Sequence, residues 1–212
     1  VDPLPLTPGP TRAPLSFAGI YREYAPRVAR WATRLGGPGC DGEDVVQEVF
    51  LVVSRKLDPT SDQRAVASWI FEITRKIAAN HRRRARWRQM WSGGDALAEV
   101  PTQEGCPDAA LERRRLVALF HRALDQLNDK QRTVFVLYEL EGQTTAAIAE
   151  LTQRNLSTVK VQLARARERF MAAYQRLLRQ ECNEVGVGLA QLAQRVVEQD
   201  DLPMTRRGKK TS

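Results

Sequence analysis

The stretch "TTAAIAELTQRNLSTVKVQLARARERF", residues 144–170, decides the fold. It opens with a short helical pattern carrying Ala147, Ile148 and Leu151 on one side. Thr152-Gln153-Arg154 then leaves room only for a tight turn. A longer helix follows from about Ser157, with Val159, Leu163, Ala166, Phe170 and Tyr174 at three- and four-residue steps. Two helices joined by so short a turn form a helix-turn-helix. Helical hairpins are common, so charge has to separate a DNA reader from simple packing. The outward face offers Lys160, Gln162, Arg165, Arg167 and Arg169, and residues 152–180 hold seven basic side chains against Glu168 alone.

Upstream, Leu116, Leu119, Phe120, Ala123 and Leu127 form another apolar stripe. Asn128 can cap the next helix, with Gln131 at the capping-box position. Val134, Phe135 and Tyr138 follow, and Gly142 can close that helix. The first half of the chain has the same helical spacing. Phe17, Ile20, Tyr24, Val28, Trp31 and Leu35 line one helix, broken by "GGPG" at 36–39. Asp41 can cap a second, with Val46, Val49, Phe50, Val53 and Leu57 on one face and "DPT" at 58–60 as its stop. A third runs from about Arg64 towards Trp91 with Val66, Ile70, Ile73 and Ile77 inward. Trp69, at its start, reads as core.

Residues 92–110 differ in kind. They hold Asp95, Glu99, Glu104 and Asp108 but no Lys or Arg, with Gly and Pro scattered through them. This reads as an acidic, flexible linker between two small helical domains. The expected class is therefore all-α. The boundaries are 1–14 for a disordered leader, 15–91, a linker at 92–110, 111–180, and a C-terminal extension at 181–212. In the extension, "GLAQLAQRVVEQ" could form a short amphipathic helix, followed by a basic tail. The leader has five prolines and no apolar segment of a signal peptide.

The chain of 212 residues has a net charge of +8, which favours a polyanionic partner. Three separated cysteines, Cys40, Cys106 and Cys182, make no disulfide framework and suit a reducing compartment. No apolar run is long enough to span a membrane. Enzyme signatures are missing: no HExxH, no phosphate-binding loop, no GxSxG, and two histidines, His81 and His121, that read as surface or boundary residues. No metal, cofactor or small-molecule substrate is expected.

Taken together, "DGEDVVQEVFLVVSRKL", "SWIFEITRKIAANHRRR" and "LDQLNDKQRTVFVLYELEG…IAEL…STVK" resemble the bacterial sigma factors of the sigma-70 family. The short linker is similar to that of the extracytoplasmic-function (ECF) group. The resemblance implies a cytoplasmic bacterial subunit that binds core RNA polymerase, recognises the −10 and −35 promoter elements and promotes melting. A sequestering anti-sigma factor is implied by the family alone. The competing reading is a stand-alone helix-turn-helix regulator, in which the first domain would have no purpose.

The resemblance assigns three surfaces. Asp44, Val45, Val46, Gln47, Glu48, Val49 and Phe50 would dock on core polymerase. Residues 41–48 are acidic and free of basic residues, a poor DNA face but a good protein one, although acids also favour any helix start. Lys76, Asn80, Arg82, Arg83, Arg84 and Arg86 would hold the melted −10 strand, where arginines neutralise phosphates and aromatics stack bases. Trp87 and Trp91 could stack or pack. Family members often carry "ARN" where this chain has Thr74-Arg75-Lys76. Arg154, Ser157, Thr158, Lys160, Gln162, Arg165 and Arg167 would meet −35 DNA. The turn departs from the family's usual glycine-containing "LGI". Either Leu156 becomes the apolar plug, or Arg154 points to phosphate.

Overall fold

The computed structural model describes residues 16–58, 62–91 and 107–185. The leader, the linker over 92–106 and the extension beyond Val185 lie outside the described residues. Among the described residues there are seven α-helices, one π turn and no strand.

Helix α1 (Phe17–Gly36) starts at Ser16, whose hydroxyl accepts the Gly19 N–H at 3.1 Å. That hydroxyl satisfies one of the amides a helix start leaves free. The helix buries Ile20, Tyr24, Val28, Trp31 and Leu35. Helix α2 (Gly42–Lys56) is capped by Asp41, whose carboxylate accepts from Glu43 N at 2.9 Å and Asp44 N at 3.3 Å. It buries Val45, Val49, Phe50 and Val53. Helix α3 (Gln63–Trp91) has 29 residues. It sets Val66, Ile70, Phe71, Ala78 and Ala85 against the other two. Thr74, fully buried, returns its hydroxyl to Ile70 O at 2.8 Å, so no polar atom is stranded there.

Helix α4 (Pro107–Leu124) begins inside the stretch read as linker. Proline is tolerated there because the first helical residue needs no N–H donor. Helix α5 (Asp129–Phe135) has the expected capping box: Asn128 accepts from Gln131 N at 2.9 Å. It does not run on as an α-helix. Val136–Leu140 form a π turn, closed by Glu141 N to Val136 O at 3.0 Å, before Gly142 turns the chain at φ 66. Helix α6 (Thr145–Thr152) and helix α7 (Leu156–Val185) complete the chain. Phe170 of α7 centres a ring cluster with Phe135 at 4.7 Å, Phe120 at 5.2 Å and Tyr174 at 5.8 Å.

The two halves share a core. Val134, Val136, Leu137, Ile148, Val159 and Leu163 join the cluster formed by α1, α2 and α3. Ser68 of α3 donates to the Glu150 carbonyl at 3.3 Å. At the centre lies Arg132, 1% exposed. Its Nε donates to the Leu35 carbonyl at 3.0 Å and its Nη1 to Asp125 at 2.9 Å. Burial, then the nearby Arg82, lowers its pKa to about 10, so it remains a cation at neutral pH. His121, read from sequence as a surface or boundary residue, has its Nδ1 buried in the same region. Burial and Arg132 lower its pKa to about 4, so it stays neutral.

Gly37 makes this approach possible. Its φ is +75, and a Cβ there would stand 3.1 Å from the Arg132 guanidinium. Gly37→Ala is expected to destabilise the protein by about 1–2 kcal/mol, from left-handed strain plus the displaced contact. A urea midpoint identical to that of the unsubstituted protein would refute this account.

Candidate nucleic-acid interface

The helix-turn-helix is present, and its turn is built without glycine and without Leu156 as a plug. Thr144 caps α6 by accepting from Ala147 N at 3.1 Å. Gln153 takes the left-handed conformation, φ 51 and ψ 47, in place of the glycine usual at such an end. Arg154 N then closes the turn on Ala149 O at 2.9 Å. Leu156 is 42% exposed and plugs nothing. Arg154 is half-buried.

Ser157 and Thr158 stand exposed in the first turn of α7, where free N–H groups favour anions. Lys160 and Arg165 are exposed on the same helix, and Gln162 is half-buried. Arg167 is committed elsewhere. It reaches Glu139 at 2.6 Å and stacks its guanidinium 4.8 Å from the Tyr138 ring centre. The π turn carries both partners, so Arg167 fastens α7 to it. Its side chain is still 48% exposed.

The basic end of α3 splits into two stripes. Asn80, Arg83, Arg84, Trp87 and Arg88 fall at helical spacing and line one open hollow of about 600 Å³. Trp87 is 63% exposed, its ring available on that face. Asn80 accepts from Arg83. Arg82 and Arg86, one turn apart, face the other half of the chain. Arg82 donates to the Leu35 carbonyl at 2.8 Å and pairs with Asp129. Arg86 pairs with Asp125 at 2.9 Å. The sequence grouped these two with Arg83 and Arg84; a rotation of 100° per residue separates them. Lys76 does not line the hollow and sits 3.5 Å from Glu72. Arg75, bonded to Glu72 at 2.7 Å and 2.9 Å, is the main cause of that carboxyl's lowered pKa.

The third surface is smaller than its motif. Val45, Val49 and Phe50 are core, at most 4% exposed, and cannot meet a partner; Val46 is half-buried. Their i, i+4 spacing was the available signal. Asp44, Gln47 and Glu48 are exposed, and Glu48 pairs with His81 at 2.8 Å. Beside them Phe17, Tyr21 and Leu51 are 41%, 47% and 56% exposed, with the Tyr21 ring 4.6 Å from Phe50. Among the described residues no group of His, Cys, Asp and Glu could hold a metal. No helix there is long and apolar enough to cross a membrane.

A basic helix-turn-helix packed on a three-helix unit with an arginine-lined hollow defines a helical DNA-binding protein. Comparison with known proteins narrows the class. Residues 20–88 match the family described as Sigma-70 region 2, and residues 118–170 match Sigma-70, region 4. RNA polymerase sigma-H factor of Pseudomonas aeruginosa is 30% identical over 176 residues, covering 78% of this chain and 89% of that protein. ECF RNA polymerase sigma factor SigE of Mycolicibacterium smegmatis is 31% identical, covering 73% of this chain and 60% of that one. Among solved structures, the sigma factor RpoE from Bartonella quintana, crystallised with the anti-sigma factor NepR, is similar at 24% identity. The TM-score is 0.48, over 75% of this chain and 96% of that one. The chain belongs to the sigma-70 family, in its ECF group. It directs RNA polymerase to promoters, and the family's members are not catalytic enzymes.

Proposed function

We propose that promoter selection by this chain uses three separate surfaces. The hollow of Asn80, Arg83, Arg84, Trp87 and Arg88 takes the melted −10 strand. Its three arginines and the exposed Trp87 ring carry this reading, because single-strand binding wants phosphate-neutralising charge next to a ring on which a base can stack. The start of α7 takes −35 duplex. There Ser157 and Thr158 meet phosphates, Lys160, Gln162 and Arg165 face base edges, and Arg154 adds a backbone contact. Asp44, Gln47 and Glu48, with the aromatic edge of Phe17 and Tyr21, take core polymerase. An anti-sigma factor would compete for that edge, so its binding would exclude polymerase. The chain acts in the cytoplasm, where the polymerase is.

Runoff transcription with purified core polymerase on a promoter library tests the whole reading. Promoter-specific transcripts should require the protein. The docking surface has its own test. Asp44→Asn with Gln47→Ala should weaken core binding about tenfold, or about 1.4 kcal/mol, while the melting temperature holds. Undiminished core affinity would remove these residues from the interface. If core polymerase failed to bind the parent protein, the stand-alone regulator would replace this account.

A further inference from the structure

Helix α7 carries an apolar side chain at the middle of its outward face. Val159, Leu163, Ala166 and Phe170 are at most 5% exposed and mark the inward side. Val161, two residues after Val159, stands about 200° from it around the helix and is 47% exposed. Ser157 and Arg165, four residues to either side, lie about 40° from Val161, and Thr158 and Ala164 lie about 60° from it. All four are exposed. Lys160 and Gln162 lie about 100° away on opposite sides, so they flank this stripe and do not form its centre. The roll of the helix is fixed at both ends of the stripe. The turn at Gln153 closes on α6, and Arg167 is held by Glu139 at 2.6 Å.

A valine here adds nothing to the core, and it is a poorer helix former than alanine or lysine. On most surfaces a lone exposed apolar residue needs no explanation. Here the surroundings supply one. Residues 152–180 carry seven basic side chains and one acid, and the partner of such a face on a helix-turn-helix is a DNA major groove. The floor of that groove presents hydrogen-bond donors and acceptors from every base pair. It presents one apolar group, the C5-methyl of thymine. The two branches of a valine set against that methyl release water from both. Set against guanine, adenine or cytosine, the same branches strip water from a polar edge and return no hydrogen bond.

We propose that Val161 is a specificity-determining residue that selects one thymine of the −35 element through its methyl group. Ala164, exposed one turn further on, brings neither bulk nor a hydrogen-bonding group, so the middle of the stripe approaches the groove floor closely. Ser157 and Arg165 then hold polar partners on either side of the valine. The contact works in both directions: it rewards the methyl and penalises a polar edge in its place. The inference rests on the assignment of α7 to −35 duplex made above.

The experiment uses the full chain assembled with core polymerase. Transcription from a promoter pool randomised over the −35 region gives the preferred sequence. Each thymine in it is then replaced singly by deoxyuracil, which removes the C5-methyl and leaves every hydrogen-bonding group in place. At one position the duplex should bind about fourfold more weakly, the worth of one buried methyl-sized group. In Val161→Ser that position should become indifferent to the methyl, while the other thymines behave as before. Val161 is exposed, so the melting temperature should hold. Cytosine in place of that thymine should weaken binding to the parent protein, and 5-methylcytosine should recover the methyl's share. A preferred −35 sequence with no methyl-dependent thymine would overturn the proposal. So would a methyl dependence that Val161→Ser leaves at its full size. Failure of the −35 reading shows separately: Lys160→Ala with Arg165→Ala would leave binding of the −35 duplex undiminished.

Discussion

Arg132→Ala is expected to lower the unfolding free energy by about 3–5 kcal/mol, the range for removing one partner of a buried ion pair. Arg132 is 1% exposed and bonds a carbonyl of α1 and a carboxylate that precedes α5. Truncation leaves the Leu35 carbonyl with one fewer donor, although Arg82 still reaches it at 2.8 Å. It also opens a cavity where a large side chain stood. Asp125 retains Arg86 at 2.9 Å, which keeps the loss nearer the lower end. Arg132→Lys should recover only part, because an ammonium cannot present the guanidinium's fixed fork to both acceptors. Arg132→Met separates volume from charge: it fills the space and makes neither bond. Urea denaturation with linear extrapolation reads all three. A loss below 1 kcal/mol in Arg132→Ala would mean that the buried guanidinium is not what secures this junction.

The same residue shows where sequence reading stops. Helix positions, the Asp41 cap and the Asn128–Gln131 box were legible because each depends on neighbours within four residues. The core of each half followed from three- and four-residue spacing. Arg132 looked like any other arginine in "NDKQRTVF", since nothing local announces that a charge will be buried. Its acceptor, Leu35 O, lies 97 residues away. Other links between the halves are equally remote, Arg82 to Asp129 over 47 positions and Arg34 to Leu140 over 106. Long-range ion pairs leave no periodic trace, because an isolated charge satisfies water as well as it satisfies a partner. The π turn also escaped. One residue beyond the α-helical repeat changes no composition, yet it determines which way Glu139, Leu140 and Glu141 point. At the docking motif the sequence was misread for another reason. The resemblance carried over a whole motif, in which Val45, Val49 and Phe50 hold α2 against the core. Only Asp44, Gln47 and Glu48 are left facing outward.

For the hollow itself, substituting Arg83, Arg84 and Arg88 together with alanine is expected to weaken binding of the melted −10 strand about a hundredfold at 0.1 M salt. The estimate comes from counterion release. Each phosphate neutralised on a single strand contributes about −0.7 to the slope of log affinity against log salt. Three lost contacts flatten that slope by about 2, and between 1 M and 0.1 M salt a slope change of 2 is a hundredfold. All three side chains are exposed, so folding should be spared. Trp87→Ala separates the other half of the mechanism. A base stacked on that ring contributes about 1–3 kcal/mol without releasing ions, so affinity should fall while the slope stays put. The measurement is fluorescence titration of the non-template strand with polymerase holoenzyme over a salt series, beside a −35 duplex as the control. The duplex should bind as before, because its contacts are on α7. An unchanged slope in the triple variant would place the strand elsewhere on α3. Arg82 and Arg86, the other arginines at that end of the helix, would then be the first alternative. A changed slope in Trp87→Ala would mean that the ring positions arginines rather than stacks a base. The two variants thus assign charge and stacking to different residues of one hollow, an assignment that a loss of affinity alone could not make.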